Sequence, residues 1–197
     1  MPIYSLRNIT PVIEEGAFVH PQAVLIGDVF VLKGAFVAPM ATMRGDFGRL
    51  ILGPGANLQE HCCMHGFPGT DTVVEENGHI GHGSILHGCT IKKNALVGMN
   101  STILDRAIVG ENCIIGAGSL VSSDCEIEPN MLAFGSPAKA IRALNQEELN
   151  WKARGTSEYQ MLAKIYPGNM QKAEADTTVN FDRERMQLSN YQHKPNK

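Results

Sequence analysis

The sequence predicts a mainly β fold, a solenoid of hexapeptide coils followed by a C-terminal α-helix. Three observations carry that expectation. Aliphatic or small residues recur every six positions over most of the chain, glycine often follows them, and the period is lost after Gly135-Ser136-Pro137-Ala138-Lys139, where helix signals begin. A period of six is neither the 3.6 of a helix nor the 2 of an ordinary strand. It suits a strand of about four residues plus a tight turn, with glycine supplying backbone freedom there. Three such units close one triangular coil, so residues eighteen apart stack in columns. Each coil buries its inner face only against its neighbours, and stability then comes from the length of the stack.

The recurrence starts at Ile26, Leu32 and Ala38. Arg44-Gly45-Asp46-Phe47-Gly48-Arg49 breaks it, and it resumes two positions out of phase at Leu52, Leu58 and Met64. A polar, glycine-containing excursion runs from Gly66 to about Gly78. The pattern returns at Ile80 and Leu86, takes a five-residue step to Ile91, and continues through Val97, Ile103, Val109, Ile115, Val121, Ile127 and Ala133. Residues 1–136 are thus read as the solenoid and 137–167 as a helical segment. In that segment Asn145 and Thr156 read as N-caps with acidic residues following. Leu144, Trp151, Tyr159, Leu162, Ala163 and Tyr166 form its apolar face, with a break expected near Gly155. The helix is expected on the outside of the prism or on a neighbouring subunit. Residues 168–197 are polar and aliphatic-poor, which suits a disordered tail or a strap over a neighbour.

The chain of 197 residues carries a net charge of −3 and no basic stripe, which argues against nucleic-acid binding. No window approaches a membrane span and the N-terminus has no apolar run, so the expected compartment is the cytoplasm. The five cysteines are odd in number and irregular in spacing, without a C-x-x-C pair. They fit small core-filling residues better than disulfides or a thiolate site. Cys62 and Cys63 lie close to His65 and are the two that could act otherwise.

His65, His82 and His87 all fall inside the repeats. Imidazole is the commonest protein ligand for zinc and related ions. Three imidazoles with an open position make a catalytic rather than a structural site. His82 and His87 both follow inward positions and lie on successive faces, so one coil would struggle to aim both at one ion. Two subunits meeting side by side could do so, and cyclic symmetry would repeat the site at each interface. His79 breaks the ligand spacing and reads as a loop or supporting residue. His61 is open to either side, and His20 and His193 read as surface residues.

Arg44-Gly45-Asp46, Asn57-Leu58-Gln59, Met64-His65-Gly66 and Gly81-His82-Gly83-Ser84-Ile85-Leu86-His87-Gly88 together resemble the gamma-class carbonic anhydrase family, over roughly residues 8–142. Further segments resemble its bacterial branch of phenylacetate-degradation (PaaY) and carnitine-operon (CaiE) proteins, associated with CoA-thioester pathways. These are Phe18-Val19-His20-Pro21, Val24-Leu25-Ile26-Gly27-Asp28-Val29, Leu96-Val97-Gly98-Met99-Asn100-Ser101, Gly135 to Arg142, Trp151-Lys152 and Glu158-Tyr159-Gln160. The resemblance implies a left-handed parallel β-helix and a homotrimer. It also implies a divalent metal at each interface (zinc, with iron or cobalt as alternatives), held by His65 and His87 of one subunit and His82 of the next. Gln59 would orient the metal-bound water, with Glu60 beside it where the family usually has Asp. Arg44 and Asp46 would pair near the interface, and Asn57 and Asn100 would be supporting or interface residues.

A divalent ion makes water nucleophilic near neutral pH, and the attack could fall on carbon dioxide or on the thioester carbonyl of an acyl-CoA. Phe47 stands where the archetype has Glu, and the loop after His65 is shorter than the archetype's proton-shuttling loop. Glu75 and Glu76 either take over as shuttles or form a solvated loop pair. A poor shuttle would limit rapid carbon dioxide hydration more than thioester hydrolysis, which favours a thioesterase of the phenylacetate-pathway type. Two other functions compete: a hexapeptide acyltransferase with a CoA donor, and a non-catalytic metal-binding assembly subunit.

Overall fold

The recurring aliphatic residues turn inward and stack. In the computed structural model, which describes residues 2–188, Leu52, Leu58, Met64, Ile80, Leu86, Ile91, Val97, Ile103, Val109, Ile115, Val121 and Ala133 are all fully buried in one continuous core. Parallel ladders join positions eighteen apart, such as Leu96 to Ile114 to Leu132 and Ile108 to Glu126. The molecule is a parallel β-solenoid. Burying one Val, Leu or Ile is worth about 1.5–3 kcal/mol, so the column rather than any single coil holds the fold.

Two of the three faces form one sheet, because strands Val24–Val31 and Thr42–Leu52 run unbroken around a corner. The third face ascends from Phe18–Val19 through Phe36–Val37, Asn57–Leu58, His79–Ile80, Leu96–Val97 and Ile114–Ile115. At the corner of the long strands a Cβ on Gly45 would meet the Asp28 carbonyl oxygen at 2.4 Å, so no side chain fits.

Several expectations need correction. In the first coils the inward positions are Leu25, Val31, Val37 and Met43, one residue before the expected register. Ile26 and Leu32 face outward, and Ala38 is buried instead beneath the helix. Adjacent positions there are both apolar, so side-chain type could not choose between them; the strict alternation of burial along Val24–Val31 does. Arg44 to Arg49 do not break the solenoid but are the middle of a long strand. The excursion after Gly66 is also shorter than expected. Thr72–Val74 is already a strand, paired with Leu50–Leu52.

After the last coil, Met131–Gly135 and Ala138–Ala143 form an antiparallel hairpin. The division at 136/137 therefore falls within a turn rather than between two units, and the hairpin continues the third face. The helix, α1, spans Gln146–Asn169. Asn145 caps it, its side chain accepting from the Glu148 N–H while Glu148 reaches back to the Asn145 N–H. Arg142 grips Glu148 with two bonds of 2.8 Å.

The helix is not broken at Gly155. Its inner stripe, Glu148, Lys152, Thr156 and Ala163, is buried on both sides of the glycine. Thr156 does not cap a second helix; its hydroxyl donates back to the Lys152 carbonyl. Of the expected apolar face, Tyr159, Leu162, Ala163 and Tyr166 pack on Phe18, Phe36 and Ala38. The first half docks through polar anchors: Lys152 Nζ donates to the Asn77 carbonyl and to Asn94 Oδ1, each at 2.6 Å. Gln160 reaches Gly55 and Asn77.

Residues 170–188 carry no helix or strand and are exposed; His193 and the rest of the expected tail lie outside the described residues. Among the described residues no helix is long and apolar enough to cross a membrane. All five cysteines are free. Cys62, Cys89 and Cys113 are buried, and burial pushes the thiols of Cys62 and Cys89 up to about 11 and about 12. Core filling does not extend to Cys63, which faces outward on its strand.

Candidate metal centre and the adjoining cavity

His65 and His87 end neighbouring strands of one face, Cys63–His65 and Ile85–His87, directly opposite each other in the ladder. Ladder pairing forces their side chains together: His65 Nδ1 and His87 Nε2 stand 3.1 Å apart. Each ring's other nitrogen meets a carboxylate. His65 Nε2 is 2.9 Å from Asp46 Oδ1, and His87 Nδ1 is 2.7 Å from Asp105 Oδ1. Against the upward push of burial, bonds from His65 and Arg44 hold the Asp46 carboxyl below its usual range. The expected Arg44–Asp46 pair is present. Thr72 fastens the two strands, donating to the His65 carbonyl and accepting from the Gly88 N–H. Gly88 has φ +58°, and a Cβ there would sit 2.5 Å from Asp105 Oδ1, so glycine makes room for the carboxylate behind His87. The exposed Phe47 ring lies 5.6 Å from that of His65.

His82 is elsewhere. It sits in the turn after strand His79–Ile80, at another corner of the prism, with Nδ1 2.6 Å from Glu60 Oε2. Its turn is held by Asn100, whose N–H donates to the His82 carbonyl. Among the described residues, no group of three or more His, Cys, Asp or Glu is assembled for a metal within one chain. The structure thus brings together two of the three expected ligands and leaves the third at a separate edge.

The arrangement nonetheless has the chemistry of a ligand set. Two nitrogens on a tetrahedral zinc, each at about 2.0–2.1 Å, stand roughly 3.3 Å apart, close to the His65–His87 separation. A carboxylate on the far ring nitrogen fixes the tautomer and raises the basicity of a ligating imidazole. All three histidines have one: Asp46, Asp105 and Glu60. Asp105 was absent from the sequence expectations. Its signal was available, since it lies eighteen residues after His87 and so stacks in the next coil.

Gln59 and Asn57 are buried on the third face, under α1. Gln59 Nε2 donates to Asn57 Oδ1 and to His79 Nε2, at 3.0 and 2.7 Å. With Nε2 engaged, Oε1 is the Gln59 atom able to accept from a ligand. His79 is not a loop residue but lies on a strand, and its Nδ1 is 3.3 Å from Thr156 Oγ1. Burial, helped by the nearby Lys152, pushes its pKa down to about 3, so the imidazole is neutral. Burial likewise lowers Lys152 to about 7.

Glu75 and Glu76 lie at the remaining corner, where the second face turns into the third. Glu75 holds Lys92 and the Lys93 N–H, and Glu76 holds Lys93. Within one chain they approach neither the histidine pair nor His82, which corrects their expected part as shuttles in their own subunit. His61 is an exposed turn residue. His20 is part-buried, its Nδ1 accepting from the Gln22 N–H.

Beside His82 a cavity of about 480 Å³ opens between α1 and the third face. Gln59, His79, His82 and Glu158 line it along with Leu96, Met99, Ile114, Ala117 and Trp151.

Comparison with known proteins agrees with this fold. Residues 88–123 match the bacterial transferase hexapeptide family (six repeats). The chain is 52% identical over 163 residues to the carnitine operon protein CaiE of Salmonella newport, covering 83% of this chain and 82% of that one. The chain belongs to the CaiE-like family of hexapeptide-repeat proteins. Among solved structures, a Bacillus cereus protein provisionally named an acetyltransferase is 40% identical with a TM-score of 0.82, over 83% of this chain and 95% of that one. A hexapeptide transferase family protein from Anaplasma phagocytophilum is 33% identical with a TM-score of 0.80, over 84% and 98%.

Proposed function

We propose that this CaiE-like chain is a metal-dependent hydrolase of acyl-CoA thioesters that can also hydrate carbon dioxide. In this reading a divalent metal, zinc before iron or cobalt, is shared between copies in a homotrimer. His65 and His87 come from one subunit and His82 from the next. The observation that carries the reading is the carboxylate behind each of the three imidazoles, at separations of 2.6–2.9 Å. Such pairing is expected of metal ligands and has no evident purpose at three unrelated surface histidines.

The metal would supply Lewis acidity at the carbonyl oxygen and a water activated near neutral pH. The chain's own residues do the rest. Asp46, Asp105 and Glu60 hold each imidazole in the tautomer whose other nitrogen keeps its lone pair. Gln59, anchored by His79 and Asn57, accepts a hydrogen bond from the attacking water through Oε1. In hydrolysis the water oxygen bonds to the thioester carbon, the carbon–sulfur bond breaks, and the proton leaves with the thiol. Thioester hydrolysis is favoured over carbon dioxide hydration because Glu75 and Glu76 are engaged with lysines away from the histidines.

Elemental analysis of anaerobically purified protein, with parallel assays on acyl-CoAs and carbon dioxide, tests the proposal. About one metal ion per chain and activity that disappears with chelation are expected. Full activity in metal-free protein contradicts it. A second reading is acyl transfer with a CoA donor, the solved relatives being named an acetyltransferase and a hexapeptide transferase family protein. Chelator-insensitive transfer to an amine or hydroxyl acceptor would select that one.

A further inference from the structure

The helix and the third face meet through hydrogen bonds whose directions depend on one another. Asn57 and Gln59 lie two apart in the chain, on one side of the third face, and ladder pairing sets His79 beside Asn57. The His79 ring thereby meets an amide nitrogen at each of its own nitrogens. Gln59 Nε2 is 2.7 Å from His79 Nε2, and Asn57 Nδ2 is 3.2 Å from His79 Nδ1. The ring is neutral, its pKa pushed down to about 3 by burial. A neutral imidazole carries one N–H and accepts at one nitrogen only. Both amides therefore cannot donate to it at once.

The helix decides between them. Lys152 and Thr156 lie four apart and share the buried side of α1. Lys152 Nζ fixes the helix on Asn77 and Asn94, with Thr156 Oγ1 3.3 Å from His79 Nδ1. The Thr156 hydroxyl donates its proton to the Lys152 carbonyl, the back-bonding open to threonine within helices. Toward His79 its oxygen can only accept. That places the ring proton on Nδ1 and leaves Nε2 to accept from Gln59. The second proton of Gln59 Nε2 goes to Asn57 Oδ1, so the Gln59 amide cannot turn without losing both bonds.

We propose that Thr156 of the helix is a positioning residue: by fixing the His79 tautomer it makes Gln59 a hydrogen-bond acceptor, rather than a donor, toward the attacking water. The proposal rests on the hydrolase reading for that water and adds to it the residue that sets the direction of the Gln59 amide. The direction matters chemically. Through Oε1 Gln59 takes a water proton and leaves the oxygen lone pair free to bond to the thioester carbon. Turned about, its N–H groups would bind the lone pair that has to attack.

The tautomer is read without metal or turnover. Full-length protein with isotopically labelled histidine rings is treated with chelator, and the ring nitrogens are observed by NMR, where a bare nitrogen resonates far from a protonated one. His79→Asn identifies the His79 signals among the seven histidines. The His79 proton is expected on Nδ1. Thr156→Val keeps the shape of the side chain and removes the acceptor, while the donor Asn57 Nδ2 stays beside Nδ1, so the proton is expected to move to Nε2. Thr156→Ser should return it to Nδ1. In metal-loaded protein Thr156→Val should lower kcat for acyl-CoA hydrolysis about tenfold or more, with KM and metal content unchanged, and Thr156→Ser should recover it. A proton on Nε2 in the unsubstituted protein, or one that stays on Nδ1 in Thr156→Val, overturns the proposal. So does a moved proton with unchanged kcat. Absence of hydrolysis by the metal-loaded unsubstituted protein defeats the hydrolase reading instead, and the hold of Thr156 on the His79 tautomer is then decided by the metal-free spectra alone.

Discussion

At one edge of the solenoid two imidazoles face each other at 3.1 Å, each backed by an aspartate and locked by strand pairing. At another, His82 stands half-exposed in a turn with Glu60, beside an apolar cavity roofed by α1. Both edges are made of the same hexapeptide coils. The first brings two imidazoles together; the second sets one imidazole beside the cavity of about 480 Å³. In the proposed reading neither edge works alone, and the chemistry lies where the first edge of one copy meets the second edge of another.

The strongest way to break this comparison is to delete a ligand from each edge. His87→Ala and His82→Ala should each bring metal content and turnover to background, although the two residues never meet in one chain. Undiminished metal in His82→Ala would show that its edge takes no part. Next in size is the carboxylate behind His87. Asp105→Asn keeps the shape of the side chain but should lower metal affinity about 10–100-fold, measured by chelator competition. An unchanged affinity would make Asp105 a mere neighbour.

The second edge has its own signature, in pH. His79 is held neutral, with a folded-state pKa of about 3 against 6.5 in the open chain. Between those values the unfolded chain takes up a proton that the folded one refuses, so stability falls as pH falls through that window. About 2 kcal/mol should be lost between pH 7 and pH 5, measured by denaturant unfolding. His79→Asn should flatten that slope; an equal slope would assign the acid sensitivity elsewhere. The smallest effect belongs to the helix cap. Asn145→Ala should cost about 1 kcal/mol and leave metal stoichiometry unchanged, since α1 roofs the cavity but supplies no ligand.

How much of this was legible in the sequence depended on whether neighbouring residues differ in kind. From Leu52 onward the inward residue is followed in most coils by a glycine or a polar residue, as at Leu52-Gly53, Ile91-Lys92 and Val121-Ser122, and its column could be read directly. At Leu25-Ile26, Val31-Leu32 and Val37-Ala38 both neighbours are apolar, and the register was off by one. The grouping of His65 with His87 followed from the family resemblance, and the strand ladder that sets them opposite each other accounts for it. Asp105 was missed because eighteen-residue stacking was applied to the core and not to the outer surface. The helix was read as broken at Gly155 because its docking depends on Lys152 and Thr156, polar residues that no apolar pattern marks as buried. The cavity arises between distant segments and has no local signature at all.

The central claim is that each site is divided between copies, and mixing variants tests it most directly. His82→Ala keeps the paired edge and His87→Ala keeps the single-ligand edge. Unfolded together in equal amounts and refolded at random, they should recover about a quarter of the sites, because about three in four rings are mixed and each mixed ring has both edges intact at one of its three interfaces. The account predicts that metal binding and thioester hydrolysis reappear in the mixture at about that level, from two inactive parents. Mixed trimers as empty as their parents would contradict it.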